Sequence, residues 1–246
     1  MQITNNISSS YNQINLVKKT KETAKTSFAS MLENNIEKTE KKEEMGKYVT
    51  YLDKFNIFDS FSAEDRKIFR KILRDDKLTL SEIDSLSYEQ AERFRSIGIA
   101  PGTFLSEEQF NNCPILTSSN QVKDMLDSTR KTNNKTFNEA LYRTAREIKD
   151  DHDRSEILGE AQLQISTLLS NSGKSSGVNQ WDWDYDNMNI DFSKFLNDII
   201  SKYEELIANP PNKNPQFIKQ QQKKLDGYNI ILKHFNDIKN ENTRYA

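Results

Sequence analysis

Helix-start signals recur along the first half of this chain and constrain its fold more than any other feature. In each, a Ser or Thr is followed three residues later by an acidic residue or Gln, ahead of apolar residues at helical spacing; the pairs are Ser62 and Asp65, Thr79 and Glu82, and Ser87 and Gln90. In such a capping box, the two side chains satisfy backbone N–H groups that the first helical turn leaves unpaired. Three short capped helices are therefore predicted, the last of them ending near Gly98.

Amphipathic rows with their own start and stop signals continue through the second half of the chain. A helix is predicted to start near Ser118 or Ser119. The apolar positions between residues 137 and 169 indicate either one bent helix or two, because the stretch KDDHDRSE between them is very polar. The remaining signals are a cap at Asp191, a stop at Pro210 and Pro211, and a final helix opened by Asn214 and Pro215.

The fold class follows from what is absent as well as from these signals. No stretch shows the sustained two-residue alternation of strands, and 7 Gly and 5 Pro are too few for a loop-rich β-sandwich. We therefore predict an all-α fold. It comprises a disordered N-terminal arm, a short-helix module, a connector, and a helical bundle with a linker near residues 170–180; the four ranges are 1–46, 47–100, 101–117 and 118–246. The arm is too polar to offset the entropy lost on ordering.

The charge balance and the scarcity of reactive side chains narrow the functional classes. The chain has 35 basic and 37 acidic residues, a balance that gives no indication of nucleic-acid binding. A single cysteine, Cys113, excludes an internal disulfide, and two histidines, His152 and His234, cannot alone form a metal centre. No apolar run approaches the ~18 residues of a membrane span, and the N-terminus lacks a cleavable signal. We therefore expect cytoplasmic synthesis, no cofactor, and any export by a route that cleaves no such signal.

The most unusual stretch is WDWDYD, in which three aromatic residues alternate with three aspartates. Trp181, Trp183 and Tyr185 are the aromatic members, and they lie between a flexible linker and a helix. The aspartates repel one another and are expected to face water, so in extended backbone the aromatic rings would face the opposite way. These rings are predicted to pack either on the chain's own helices or in a pocket of a protein partner, where such side chains concentrate binding energy.

The same stretch supports an alternative, calcium-binding interpretation. Asp182, Asp184 and Asp186 occupy positions 1, 3 and 5 of an EF-hand-like loop. Position 8 is Asn189 rather than an aliphatic residue, and position 12 is Ser193 rather than the bidentate Glu. Because two features of a tight calcium loop are missing, calcium binding is the alternative and not the first prediction.

Three further motifs are assigned to structural roles: a helix stop with a linker, a capping box and a solvated helix face. SGKSS at residues 172–176 follows a helix rather than a strand, so it does not set up the amide cradle of a phosphate loop. RDDKLTLSEID at residues 74–84 matches a calcium loop poorly and is interpreted as a capping box. DDHDRSE at residues 150–156 is interpreted as a solvated helix face, because a metal or acid–base site would need partners from elsewhere in the chain.

A short amphipathic patch in the N-terminal arm carries a resemblance to a known class of proteins. In TSFASMLENNIEK, residues 26–38, Phe28, Met31 and Leu32 lie at helical spacing within a start rich in Ser, Asn and Thr. The segment resembles the N-terminal segments of proteins that the flagellar type III apparatus exports. This resemblance implies passage through a narrow channel in the unfolded state, after which the arm can remain as an assembly or recognition segment.

Together these patterns predict a non-enzymatic interaction protein that binds a protein partner. The expected settings are a secreted or flagellum-associated accessory protein, or a bacterial effector. The predicted partner-binding residues are Trp181, Trp183, Tyr185, Phe28, Met31 and Leu32. The alternative function is a cytoplasmic calcium-responsive regulator that uses the loop 182–193, with Asp182, Asp184 and Asp186 as the calcium ligands.

Calcium titration distinguishes the two interpretations of WDWDYD. We expect isothermal titration calorimetry to show no calcium binding tighter than roughly millimolar, the weak end of the range for such loops. The physical reason is the missing bidentate carboxylate at Ser193. Micromolar binding that Asp184→Ala abolishes would instead support the calcium-responsive regulator.

Overall fold

The computed structural model describes residues 45–171 and 190–244, and these residues form an all-α protein. Residues 1–44 of the predicted disordered arm lie outside the described residues. Ten α-helices occur within the two described ranges: α1 Lys47–Lys54, α2 Ala63–Ile72, α3 Leu80–Asp84, α4 Tyr88–Gly98, α5 Glu107–Asn111, α6 Asn120–Asp127, α7 Lys135–Glu147, α8 Asp151–Asn171, α9 Phe192–Ala208 and α10 Pro215–Arg244. Two two-residue strands, β1 Lys77–Leu78 and β2 Thr117–Ser118, and three 3-10 turns at Ile57–Ser60, Pro101–Thr103 and Ser128–Arg130 complete the regular structure of these two ranges.

The predicted helix starts are confirmed, with one difference in detail. Thr79 and Glu82 form a complete capping box at α3, and Ser87 and Gln90 form another at α4. The hydroxyl of Ser62 accepts from the backbone N–H of residue 65 at α2, as predicted.

The carboxylate of Asp65, however, does not accept from the backbone N–H of Ser62 as a capping box requires. It is buried, and it accepts from the guanidinium of Arg93 at 2.8 and 3.2 Å and from Gln90 at 3.5 Å. A charged partner on a neighbouring helix has outcompeted the local backbone donor.

Asp76 is the point at which three elements meet. Its carboxylate accepts from the backbone N–H of Lys47 at 2.9 Å and of Tyr48 at 2.8 Å, so it caps α1 from 28 and 29 residues away. Its carbonyl accepts from the backbone N–H of Thr117 at 3.0 Å, beside the parallel pairing of β1 with β2. Asp76 adopts the left-handed conformation, with φ of 60°, which Asp tolerates better than most residues. The residue therefore joins α1, β1 and β2.

An aromatic core fills the N-terminal half. The rings of Phe61 and Phe69 lie 5.2 Å apart, and those of Phe69 and Phe94 also lie 5.2 Å apart, both edge to face. Tyr48 on α1 is buried, and its hydroxyl donates to the carbonyl of Ile97 at the end of α4. These contacts place α1, α2 and α4 around one set of rings, an arrangement that favours a rigid local scaffold.

The C-terminal half is organised around Phe137 on α7. Its ring stacks on Phe192 of α9 at 4.3 Å and contacts Phe195 and Phe235 edge to face, so α7, α9 and α10 pack around it. Asp191 caps α9 through the backbone N–H of residue 194, as predicted. The buried side chains of both halves belong to a single hydrophobic cluster.

The helix breaks at residues 148–150, at the start of the polar stretch KDDHDRSE, so α7 and α8 are two helices, which resolves the alternative that the sequence left open. The break is fixed by Arg154, which is buried and donates from its guanidinium to the carbonyl of Ile148 at 2.9 and 3.2 Å, just past the end of α7. Asp150 caps α8 by accepting from the backbone N–H of Asp153 at 2.9 Å. One side chain from α8 thus satisfies a carbonyl that the end of α7 leaves unpaired.

The cap at α1 gives a stability prediction. Asp76→Ala is expected to lower the free energy of unfolding by about 2 kcal/mol, because it removes the acceptor of two α1 amides and places alanine in the left-handed conformation. Asp76→Asn keeps a side-chain carbonyl and a residue that tolerates this conformation, so its loss should be less than half as large. Urea unfolding at neutral pH measures both values. An alanine variant as stable as the wild type would show that this carboxylate does not hold α1.

Candidate interaction surface

All the site residues predicted from sequence lie outside the described residues. This applies to the aromatic and acidic members of WDWDYD, Trp181 to Asp186, and to Phe28, Met31 and Leu32 of the N-terminal arm. Their assignments, to a protein partner or to calcium, stay predictions. The candidate site of the described residues is formed by other side chains, none of which was predicted from sequence as a site residue.

The described residues carry a cluster of exposed apolar side chains around α5, which we call the aromatic surface. It consists of the exposed Phe55, Phe104, Phe110 and Ile115 and of the half-buried Tyr51. Phe55 and Phe104 are each 37% exposed, Phe110 is 48% exposed and Ile115 is 86% exposed. Only Met45 and Leu163 among the other large apolar residues of the two described ranges reach similar exposure. Contiguous exposed apolar patches on soluble proteins mark sites of interaction more often than scattered single residues do.

Helix α1 supplies one edge of the aromatic surface. Tyr48, Val49 and Leu52 face the core, whereas Tyr51 is half-buried against the core and Phe55 is exposed. The rings of Tyr51 and Phe55 lie 5.2 Å apart, edge to face. The hydroxyl of Tyr51 donates to the carbonyl of Gln109 on α5 at 2.7 Å. This bond joins the α1 edge to the segment that carries Phe110.

The segment between α4 and β2 supplies the other edge. Leu105 is buried and anchors it, while Ser106 and Gln109 form a capping box that starts α5. Phe104 contacts Phe61 of the core edge to face, with ring centroids 5.8 Å apart. Gly102 brings the backbone beside Phe110, because a Cβ at this position would lie 3.8 Å from that ring. Phe104 and Phe110 are thus held near each other by a segment that is anchored at both ends.

The charges beside the aromatic surface are few. The stretch from Ser96 to Val122 contains no Lys or Arg, and the only acidic residues of this stretch are Glu107 and Glu108. Both glutamates are exposed, and neither has an ion pair or side-chain hydrogen bond within the described ranges. Lys54 lies at the opposite edge, with its ammonium 5.9 Å from the centre of the Tyr51 ring. A surface rich in aromatic residues and poor in Lys resembles the core of a protein–protein interface.

Cys113 follows α5 in the chain, between Phe110 and Ile115. It is half-buried and packs against the hydrophobic cluster. Burial raises the pKa of the Cys113 thiol, so the nucleophilic thiolate is disfavoured at neutral pH.

A second group of polar residues, on α8, α9 and α10, centres on the buried carboxylate of Glu160. This carboxylate accepts from Lys224 at 2.8 Å, from Gln164 at 2.7 Å and from the hydroxyl of Tyr203. Burial acts to raise the pKa of Glu160, but the bonds from Lys224, Tyr203 and Gln164 outweigh it and lower the pKa below its ordinary value. Both carboxylate oxygens of Glu160 accept hydrogen bonds, so this cluster ties α8, α9 and α10 together. Neither oxygen of Glu160 is left without a donor.

The described residues contain no group of three or more His, Cys, Asp or Glu side chains arranged to hold a metal ion. His152 is exposed at the start of α8. His234 pairs with Glu147 at 2.8 Å, between α10 and the end of α7. None of the helices in the described ranges is long and apolar enough to cross a membrane.

Comparison with known proteins provides no relative for this chain. No protein-family model, no curated protein and no solved structure matches it. The function must therefore be inferred from the chain's own geometry.

The sequence contained part of the signal for the aromatic surface. Ser106 and Gln109 have the same capping-box spacing as the three pairs already noted, so α5 was readable within the segment interpreted as a connector. The exposure of Phe110 and Ile115 was not readable, because a five-residue helix is too short to show which face is buried.

The Glu160 cluster predicts a pH-dependent component of stability. Because the pKa of folded Glu160 lies below the ordinary value of about 4.3, its ionised form stabilises the fold above that pH. This contribution is lost as the pH falls through the lowered, folded-state pKa. Glu160→Gln should lower the free energy of unfolding by about 2 kcal/mol at pH 7, since Lys224 loses its charged acceptor.

Urea unfolding between pH 7 and pH 3 measures this component. The difference between wild type and Glu160→Gln should shrink as the pH falls. Glu204→Gln is the matched control, because Glu204 is exposed on α9 next to Tyr203, and it should change stability by less than about 0.5 kcal/mol. A difference that stays constant over the whole pH range would contradict a stabilising role for the ionised Glu160 carboxylate.

Proposed function

We propose that this chain is a non-enzymatic interaction protein that binds a protein partner through the aromatic surface. The observation that carries the proposal is the exposure of Phe55, Phe104, Phe110 and Ile115 on one anchored part of the structure. Exposed aromatic rings held by a rigid scaffold lose little conformational entropy on binding, so they yield affinity efficiently.

The anchoring of this surface supports the proposal. The backbone of α5 is tied to α1 by the bond from Tyr51 to Gln109, and β2 is tied to β1 and Asp76. The apolar side chains are therefore presented in a fixed arrangement. A patch that existed only because a loop was loosely packed would not have a buried anchor such as Leu105 next to Phe104.

The setting of this interaction remains a proposal from sequence. The resemblance of residues 26–38 to flagellar type III export substrates suggests a secreted or flagellum-associated accessory protein, or a bacterial effector. Under this proposal the N-terminal segment serves delivery, and the aromatic surface serves binding after delivery.

Site-specific photo-crosslinking tests the proposed function. The crosslinking residue p-benzoyl-phenylalanine is placed at Phe110 in one variant and at Leu163 in a matched control, which is 58% exposed on α8. Irradiation of native-host cells that produce the protein should give a crosslinked product with the first variant and none with the second. Adding Ile115→Ser to the Phe110 variant should reduce the product, because it removes the most exposed apolar side chain of the aromatic surface.

Two results would contradict the proposal. One is the same product from both crosslinking positions, which would indicate nonspecific contact. The other is the absence of any product at Phe110 in every growth condition in which the protein is made. Circular dichroism of the purified variants should match the wild type, since all the altered side chains are exposed.

A further inference from the structure

The size of the aromatic surface limits what it can bind. Phe55 and Phe104 at 37%, Phe110 at 48% and Ile115 at 86% exposure together offer on the order of 400 Å² of accessible side chain. A stable interface between two folded proteins buries about 800 Å² on each partner. The area is therefore about half of what a stable dimer of this chain would need. It is well matched to a short segment of another protein.

The conformation of that segment follows from the local backbone. An extended peptide would bind by adding a strand to a sheet, but β1 and β2 are each two residues long and offer few main-chain groups. The apolar side chains come instead from α1, α5 and the turns beside them. Side chains in such an arrangement are suited to contact with the apolar face of an amphipathic helix, whose apolar residues repeat at three- and four-residue intervals.

The charges beside the surface indicate the polar part of the ligand. Glu107 and Glu108 have no partner within the described part of the chain, and no Lys or Arg occurs from Ser96 to Val122. Their position in the first turn of α5 is favourable for that short helix, but it does not neutralise two adjacent charges. Lys54 lies at the far edge over Tyr51. A ligand with Lys or Arg on the side that faces α5 would complement the two carboxylates.

We propose, on the basis of the proposed interaction function, that the aromatic surface binds a short amphipathic helical segment of a partner protein that has basic residues beside its apolar row. The apolar row packs on Phe104, Phe110 and Ile115. The basic residues pair with Glu107 and Glu108.

Fluorescence anisotropy with designed peptides tests this proposal on the full chain. Three labelled peptides of equal length carry the same Leu residues at helical spacing and differ only in the flanking residues, which are Lys, Gln or Glu. The Lys peptide is expected to bind at least ten-fold more tightly than the Glu peptide. Phe110→Ser should weaken binding of both the Lys and the Gln peptides, whereas Leu163→Ser should weaken neither.

Matched charge variants separate specific pairing from general attraction. The double variant Glu107→Gln with Glu108→Gln should weaken binding of the Lys peptide about three- to ten-fold and leave the Gln peptide unchanged, as expected for two exposed ion pairs. The control is Glu204→Gln with Glu205→Gln, a pair of adjacent exposed glutamates on α9 that changes the net charge equally. It should leave binding of the Lys peptide unchanged.

The outcomes distinguish this inference from the proposed function. If the three peptides bind equally and Phe110→Ser weakens all of them, the surface binds apolar segments, but the inference that the ligand carries basic residues is wrong. If the two double variants weaken the Lys peptide equally, the pairing with Glu107 and Glu108 is wrong. If no peptide binds, the inference is wrong while the crosslinking experiment still tests the function. If sedimentation shows a dimer that Phe110→Ser dissociates, the occupant is a second copy of this chain.

Discussion

The tie that Asp76 makes between α1, β1 and β2 is the interaction on which the candidate surface depends. Its carboxylate holds the amides of Lys47 and Tyr48, and its carbonyl holds the amide of Thr117. The first contact fixes the helix that carries Tyr51 and Phe55. The second fixes the strand that follows Ile115. A single residue in a left-handed conformation therefore positions both edges of the aromatic surface, although these edges lie about sixty residues apart in the chain.

This arrangement explains how apolar side chains can remain in water without the fold rearranging to bury them. Exposed phenylalanine rings cost free energy, so a flexible segment would turn them inward. Here the neighbouring positions are already used by better-packed side chains: Leu105, Phe61 and Tyr48 occupy the core beneath. The hydroxyl of Tyr51 holds the backbone of α5 in place. The phenylalanine rings are thus exposed because the backbone beside them is held in place, and not because it is loosely packed.

Local signals in the sequence were sufficient for most helix starts but not for the surface. The capping boxes at Thr79 and Ser87, and the caps at Ser62 and Asp191, depend on residues three positions apart, so they can be read without the fold. The long-range hydrogen bonds and ion pairs cannot be read in this way, because their partners lie far apart in the sequence. Asp65 has the spacing of a capping residue, but its carboxylate pairs with Arg93 on α4. Asp76 was part of a motif interpreted as a capping box, and its contact with α1 crosses 28 residues. The break between α7 and α8 likewise depends on Arg154, whose role requires that α7 end within reach of its guanidinium.

A surface assembled from two separate edges couples binding to the local stability of the fold. A segment that contacts both Phe55 and Phe110 needs α1 and α5 in their native arrangement, so any opening of the Asp76 tie removes the binding-competent state. The apparent affinity is then reduced by the fraction of molecules in which the tie is open. A bound segment, in turn, stabilises α1 against opening, because it favours only the closed arrangement. Substitutions at Asp76 should therefore weaken binding at a surface that Asp76 itself does not touch, and they should do so in proportion to the stability of α1 that they remove.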